Sequence, residues 1–219
     1  MALTAVRRKN RRTDPADTRV LILQEATRLI ARYGVEGLRV KDVADAVGIR
    51  PPSVYKHFAD RDAIIGAVAE SMDADLARFL RPEPALEPAA WLDVWARSFV
   101  WFCASRPAFV VLTLRDMASP GGLAPITAAL GPPVEALRRP PLQDLDEEFR
   151  SVWARGIEQG VFRPVSLRSL TAVLVGATLG AIAWPYDERP RREASATEIL
   201  QMQDDLSAIV TALTKPREP

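Results

Sequence analysis

Apolar residues in this 219-residue chain recur three and four positions apart almost from end to end, and strictly alternating apolar and polar runs are scarce. A period of 3.6 residues is that of an α-helix with one buried face, so an all-α protein is expected. Ile22, Ala26, Leu29, Ile30 and Tyr33 mark a first helix, opened by Asp14-Pro15 as N-cap and first-turn proline and stopped by Gly34. Val40, Val43, Ala44 and Val47 stand at i, i+3, i+4 and i+7 of a short second helix stopped by Gly48. In the stretch "GIRPPSVYKHF", residues 48–58, only Val54 and Phe58 read as core anchors. Asp60 then caps a longer helix carrying Ile64, Ile65, Val68, Met72, Leu76 and Phe79. Residues 81–88, "RPEPALEP", hold three prolines and set the main boundary. Beyond it the pattern predicts helices at about 88–105, 107–118, 141–160, 166–184 and 195–214, with the connector 119–141 broken by prolines.

Composition narrows the class. With 48% apolar and 26% charged residues the chain is an ordinary globular protein long enough to bury a sizeable core. One cysteine, Cys103, allows neither an internal disulfide nor a thiolate cluster, which fits a reducing interior. The N-terminal residues lack the apolar run of a signal peptide. The most apolar stretch, 172–184, falls short of the roughly 18 residues of a membrane span. A cytoplasmic protein with no membrane partner is therefore expected. The formal charge of +1 hides an asymmetry: residues 1–62 carry 13 Lys and Arg against 8 Asp and Glu, and the remainder is net acidic. A basic front end points to an anionic partner there. Five of the six residues 7–12 are basic, and this arm, with Arg8 and Arg11, either tracks phosphates and an adjacent minor groove or is a solvated tail.

Two short helices joined by a glycine-containing turn form a helix-turn-helix. Gly48 turns the chain at positive φ, Ile49 plugs the angle, and the second helix is free to enter a major groove. "VKDVADAVGIRPPSVYKHFADRDAII" resembles the DNA-binding helix-turn-helix of the TetR family of transcriptional regulators through Val43-Ala44, Gly48-Ile49, Val54-Tyr55, His57-Phe58 and Arg61. The resemblance is strong over roughly residues 17–70, and the remainder agrees in length and helical character. It implies four regions: a basic arm (1–13), a DNA-binding domain (14–62), a connecting helix (63–80) and a helical ligand-binding and dimerisation domain (81–219). Where the family usually has threonine and serine caps, this chain has Arg39 and Arg50, and each exchange loses a side-chain cap of ~1 kcal/mol. Because Pro52 follows Pro51, the second short helix is expected to begin at Pro52 with Pro51 as its cap.

The residues expected at DNA are Arg39, Lys41, Arg50, Pro51, Pro52, Ser53, Tyr55, Lys56, His57 and Arg61. Arg50 is either a solvated turn residue or a contact to phosphate or to a guanine edge. Tyr55 has half-buried packing as its rival role. His57, the only histidine, has no partner ligands for a metal, and the resemblance implies a phosphate contact. Arg61, at the start of a helix, is expected to neutralise a phosphate. No metal or other cofactor is expected.

One helix-turn-helix reads a half-site, so a two-fold homodimer on palindromic double-stranded DNA is expected. The seam is assigned to the last two helices through Leu170, Leu174, Gly176, Ala177, Gly180 and Ala181, and Ile199, Met202, Leu206, Ile209 and Leu213, on pattern and resemblance together; an internal core is the alternative. An aromatic stripe either fills a core or, as the resemblance implies, supplies a ligand pocket: Trp91, Trp95, Phe99, Phe102 and Phe109, with Leu112, Met117, Phe149 and Trp153. Arg115 and Asp116 either orient a polar end of the ligand or pair with neighbours on the surface. The function implied is a dimeric repressor released by an unidentified small apolar or amphipathic effector. The alternatives are an activator or a ligand-independent DNA-binding factor. An all-helical enzyme is a remote reading, since no nucleophile elbow, phosphate loop or dinucleotide fingerprint is present and the lone histidine lies in the DNA-facing helix.

Overall fold

The computed structural model describes residues 15–118, 140–183 and 194–216. Arg8, Arg11 and the connector 119–139 lie outside them. Among the described residues there are nine helices and no strand: α1 (Pro15–Tyr33), α2 (Val40–Val47), α3 (Pro51–Val54), α4 (Arg61–Phe79), α5 (Pro88–Ser105), α6 (Pro107–Ala118), α7 (Pro140–Glu158), α8 (Leu167–Ala183) and α9 (Ala196–Thr214). No helix among the described residues is long and apolar enough to cross a membrane.

Two apolar cores organise these helices. The first gathers Ile22, Ala26, Leu29 and Ile30 of α1, Val43 and Ala44 of α2, Val54, Phe58, and Ile64, Ile65 and Val68 of α4. Ala108 and Leu112 of α6 complete it. The second begins at Leu76 and Leu80 and runs through α5, α7, α8 and α9, with α5 packed most extensively along α9. Tyr33 and Phe79 depart from the expected burial. Tyr33 is exposed beneath the Arg32 guanidinium, 5.1 Å from its ring centre. Phe79, also exposed, stacks on Trp101 at 5.0 Å. Both stand in the last turn of their helix, where the chain leaves the core that the earlier turns cover.

Local chemistry sets the ends. Gly34 and Gly48 follow α1 and α2 at φ 74° and 78°, where a Cβ would be strained. Asp60 Oδ1 accepts the Ala63 N–H at 2.7 Å and caps α4. A capping box opens α9: the Ser195 hydroxyl accepts from the Glu198 N–H at 3.3 Å, and the Glu198 carboxylate accepts from the Ser195 N–H at 2.8 Å. At the far end of α9 the Arg163 N–H donates to the Thr214 carbonyl at 2.8 Å, and its guanidinium donates to the Leu213 carbonyl. Arg97 of α5 pairs with Asp93 on its own helix and reaches Asp204 of α9 at 2.6 Å.

Candidate nucleic-acid interface and ligand cleft

The turn between α2 and α3 is closed from both sides. The Ile49 N–H donates to the Ala44 carbonyl at 2.9 Å and the Gly48 N–H to the Asp45 carbonyl at 3.2 Å, the paired bonds of a Schellman motif. Val54 is fully buried and Phe58 nearly so, with the Arg19 guanidinium 4.8 Å from the Phe58 ring centre. These two anchors hold a helix of a single turn. Its outward side carries Pro52, Tyr55 and Lys56 in solvent, while Pro51, Ser53 and His57 are half-buried. Arg39 and Arg50 take the cap positions of α2 and α3 in extended backbone, and neither side chain caps. Both are exposed, as is Lys41. Arg39, Lys41, Arg50 and Lys56 form no ion pair among the described residues, so their charge is open to a polyanion.

Two expectations about this region change. Helix α3 begins at Pro51, not Pro52, with Arg50 as its cap. A first-turn proline has no N–H to satisfy, and the bond from the Ser53 N–H to the Arg50 carbonyl at 2.8 Å fixes Pro51 inside the turn. Arg61 is turned inward: its Nε donates to the Leu38 carbonyl at 2.9 Å and its Nη2 to the Val35 carbonyl. Glu36 lies 3.5 Å away on the same guanidinium. Those carbonyls belong to the α1–α2 loop, outside any helix ladder; that of Val35 also accepts the Leu38 N–H at 3.1 Å, and the Arg61 fork donates to both. Arg61 is thus a clamp on the base of the helix-turn-helix rather than a free cation at its rim.

A cleft of about 130 Å³ opens between α4, α5, α6, α7 and α8. Met72, Leu76, Phe99, Phe109, Leu112, Leu142 and Val175 give it apolar walls with Ala69; Asp73, Thr113 and Asp116 are its polar members. Helix α6 stands on both sides of the molecule's division: Phe109, Leu112, Thr113 and Asp116 face the cleft, while Ala108 and Leu112 belong to the first core. One turn from Leu112, Arg115 lies 3.6 Å from Glu36, the residue that also pairs with Arg61.

Residues 22–68 match the family model of the bacterial regulatory proteins, tetR family. The N-terminal segment matches the TetR-family DNA-binding domain. The chain is 33% identical over 78 residues to the tetracycline repressor protein class A from transposon 1721 of Escherichia coli, a stretch that is 36% of each chain. It spans less than half the length of the curated relatives it matches. A bacterial regulatory protein of the tetR family from Rhodococcus RHA1 superposes with a TM-score of 0.70 at 13% identity, covering 92% of this chain and 98% of that one. AibR in complex with isovaleryl coenzyme A and operator DNA superposes with a TM-score of 0.65 at 16% identity, over 88% and 97%. At these identities the superpositions establish the fold. The relatives are regulators, not enzymes.

The aromatic stripe divides. Phe99, Phe109 and Leu112 line the cleft. Trp91, Trp95, Phe102, Phe149 and Trp153 do not; they are buried fillers of the second core. Trp91 and Trp95 meet Phe149 edge-on at 5.6 and 4.9 Å, Phe102 meets Phe109 at 5.1 Å, and Trp153 stacks on Phe162 at 4.7 Å. Large rings packed this closely leave no space between them. Arg115 points to Glu36 and not into the cleft, and the side chain of Met117 lies outside the described residues. Sequence reasoning missed Ala69, Met72, Asp73 and Leu76, because their helix reads as a plain amphipathic connector.

The expected seam divides too. Leu170, Leu174 and Leu206 are buried in the protein's own core, and Ile199 and Met202 pack against it. Gly176, Ala177, Ala181 and Ile209 face outward, with Gly180 and Leu213 half-buried. Leu200, not singled out from the sequence, is the most exposed large apolar residue of α9, at 60%.

Proposed function

We propose that this protein is a dimeric TetR-family transcriptional repressor that binds a palindromic operator through α2 and α3 and is released by a small effector in the cleft. The observation that carries the reading is the double membership of Leu112, which lines the cleft and is also packed in the core beneath the helix-turn-helix. A ligand that favours one position of α6 therefore acts on the base of the reading head, as any differential affinity for two states must. Arg39, Lys41, Arg50, Tyr55, Lys56 and His57 are the DNA-facing set, with Pro51, Pro52 and Ser53 bringing the backbone close.

The dimer rests on α8. After Arg168 that helix has no charged residue, and its outer side presents Ala172, Gly176, Ala177 and Ala181 to solvent. A helix apolar on all sides is expected to be covered on all sides, and small residues permit close approach of a second copy.

Sequencing the genomic fragments retained by the purified protein yields the operator and, through its neighbours, the regulated genes. Two half-sites about 34–36 Å apart, one helical turn, are expected. An Ala177→Lys variant is expected to sediment as a monomer and to lose operator affinity in fluorescence anisotropy. A monomeric variant that binds as tightly as the wild type would sink the dimer mechanism.

A further inference from the structure

We infer that α3 reads its half-site as guanine and thymine: Arg50 takes the guanine edge, and Pro52 with Tyr55 takes the thymine methyl group. The inference rests on the proposed reading of α2 and α3 as the operator-binding element and adds the bases that they select.

In a major groove guanine shows two acceptors, adenine an acceptor and a donor, cytosine a donor, and thymine an acceptor beside its methyl group. The side chains on offer decide which of these are told apart. Residues 48–58 contain no Asn, Gln, Asp or Glu. The carboxamide that pairs with adenine and the carboxylate that accepts from cytosine are therefore both missing from this segment. Asp42 and Asp45 are exposed on α2, but the first helix of this motif crosses the DNA backbone instead of entering the groove. Asp60 is engaged in capping α4.

What α3 does present is donors and apolar surface. Arg50 is exposed, its side chain caps nothing, and it forms no ion pair among the described residues. A free guanidinium fork matches guanine O6 and N7 together. Pro52 is exposed and Tyr55 is 53% exposed. Three residues apart, they share one side of the turn, and the burial of Val54 and Phe58 keeps that side outward. The proline ring has no donor or acceptor, so a methyl group is the base feature it fits. The hydroxyls of Ser53 and Tyr55 both donate and accept and favour no base, and Lys56 adds donors alone.

The test begins with enrichment of duplexes from a randomised pool by the full-length protein. A half-site with guanine and thymine within about three base pairs is expected, since residues 50 and 52 lie at most about 7 Å apart along the chain and bases are stacked ~3.4 Å apart. Fluorescence anisotropy then compares base analogues placed at each guanine and each thymine of the half-site in turn. At one guanine, 7-deazaguanine, which lacks only the N7 acceptor, is expected to weaken wild-type binding at least fivefold. At one thymine, uracil, which lacks only the methyl group, is expected to weaken it about fourfold, the worth of one buried methyl. In Arg50→Ala the first penalty is expected to vanish and the second to remain; in Pro52→Ser combined with Tyr55→Ser the reverse is expected. The wild-type measurements stand whether or not these variants fold. Half-sites that tolerate both analogues within twofold overturn the inference and leave the operator-binding reading in place, as does a 7-deazaguanine penalty that survives Arg50→Ala. If only one analogue weakens binding, the assignment of the other base is overturned. If no sequence is enriched, the inference and the operator-binding reading fail together.

Discussion

Replacing Arg61 by alanine separates a clamp from a phosphate contact. The guanidinium donates to the carbonyls of Val35 and Leu38 and pairs with Glu36 and Asp62. The two acidic partners are more than four-fifths exposed, and pairs of that kind are worth about 0–1 kcal/mol. The carbonyl bonds carry the larger share. A hydrogen bond from a charged donor contributes ~1.5–3 kcal/mol when sheltered, and an Arg61 side chain that is 31% exposed lowers this to about 1 kcal/mol per bond. Arg61→Ala should therefore cost about 2 kcal/mol, or a Tm lowered by roughly 4–8 °C in a chain of this length. Arg61→Lys, with a point donor in place of a fork, should recover about half. Circular dichroism melts of the three proteins provide the measurement, and urea midpoints provide a second. A Tm within 1 °C of wild type, together with weaker operator binding and a salt slope reduced by about one, would refute the clamp and restore the phosphate role.

Gly156→Ala should destabilise by about 1–3 kcal/mol, read from the urea midpoint. A Cβ there would lie 2.2 Å from the Phe162 ring, which is pinned against Trp153, so an unchanged midpoint would show that the ring moves freely. Cys103 is fully buried, and burial pushes its thiol well above the ordinary range. Because the thiolate is the reactive form, an aromatic disulfide reagent should label Cys103 only as fast as the protein unfolds, and prompt labelling of the native protein would contradict that. Arg50→Ala should flatten base preference at one position per half-site in binding to randomised operators; a uniform loss across sequences would assign Arg50 to phosphate alone.

Helix positions were legible because periodicity, prolines and caps agree with one another. Pro88 and Pro107 stand in the first turns of α5 and α6, Asp60 caps α4, and Gly48 turns the chain between α2 and α3. What covers each apolar face was not legible in the same way. Leu170 and Leu174 recur at the spacing of a seam, and the same spacing serves a core. Periodicity names the residues that share a side of a helix but not the surface opposite them. The cleft failed for a related reason. Aromatic density marked α5, yet rings that fill space exclude a ligand, and the space lies where α4, α6 and α8 bring Met72, Thr113 and Val175 together. Arg61 shows a third limit. Its place at a helix start suggests an anion site, whereas its partners are carbonyls 23 and 26 residues earlier in the chain.

Two connections join α6 to the reading head, and their magnitudes decide which one transmits. The ionic connection runs from Arg115 to Glu36 and on to Arg61. Glu36 is 82% exposed and the separations are 3.6 and 3.5 Å, so this relay is screened by salt and contributes about 0–1 kcal/mol. The apolar connection is Ala108 and Leu112, only 2% and 5% exposed among the residues of the first core. Burial of one leucine side chain is worth about 1.5–3 kcal/mol, and packed side chains move between discrete fits rather than stretching. A ligand against Leu112 must therefore be accommodated by the core beneath α2 and α3, while the Glu36 pairs can break and re-form in water at little cost. Under the proposed function, transmission by packing predicts an effector response that is nearly independent of salt, while binding to an operator, as to any polyanion, should weaken steeply with it.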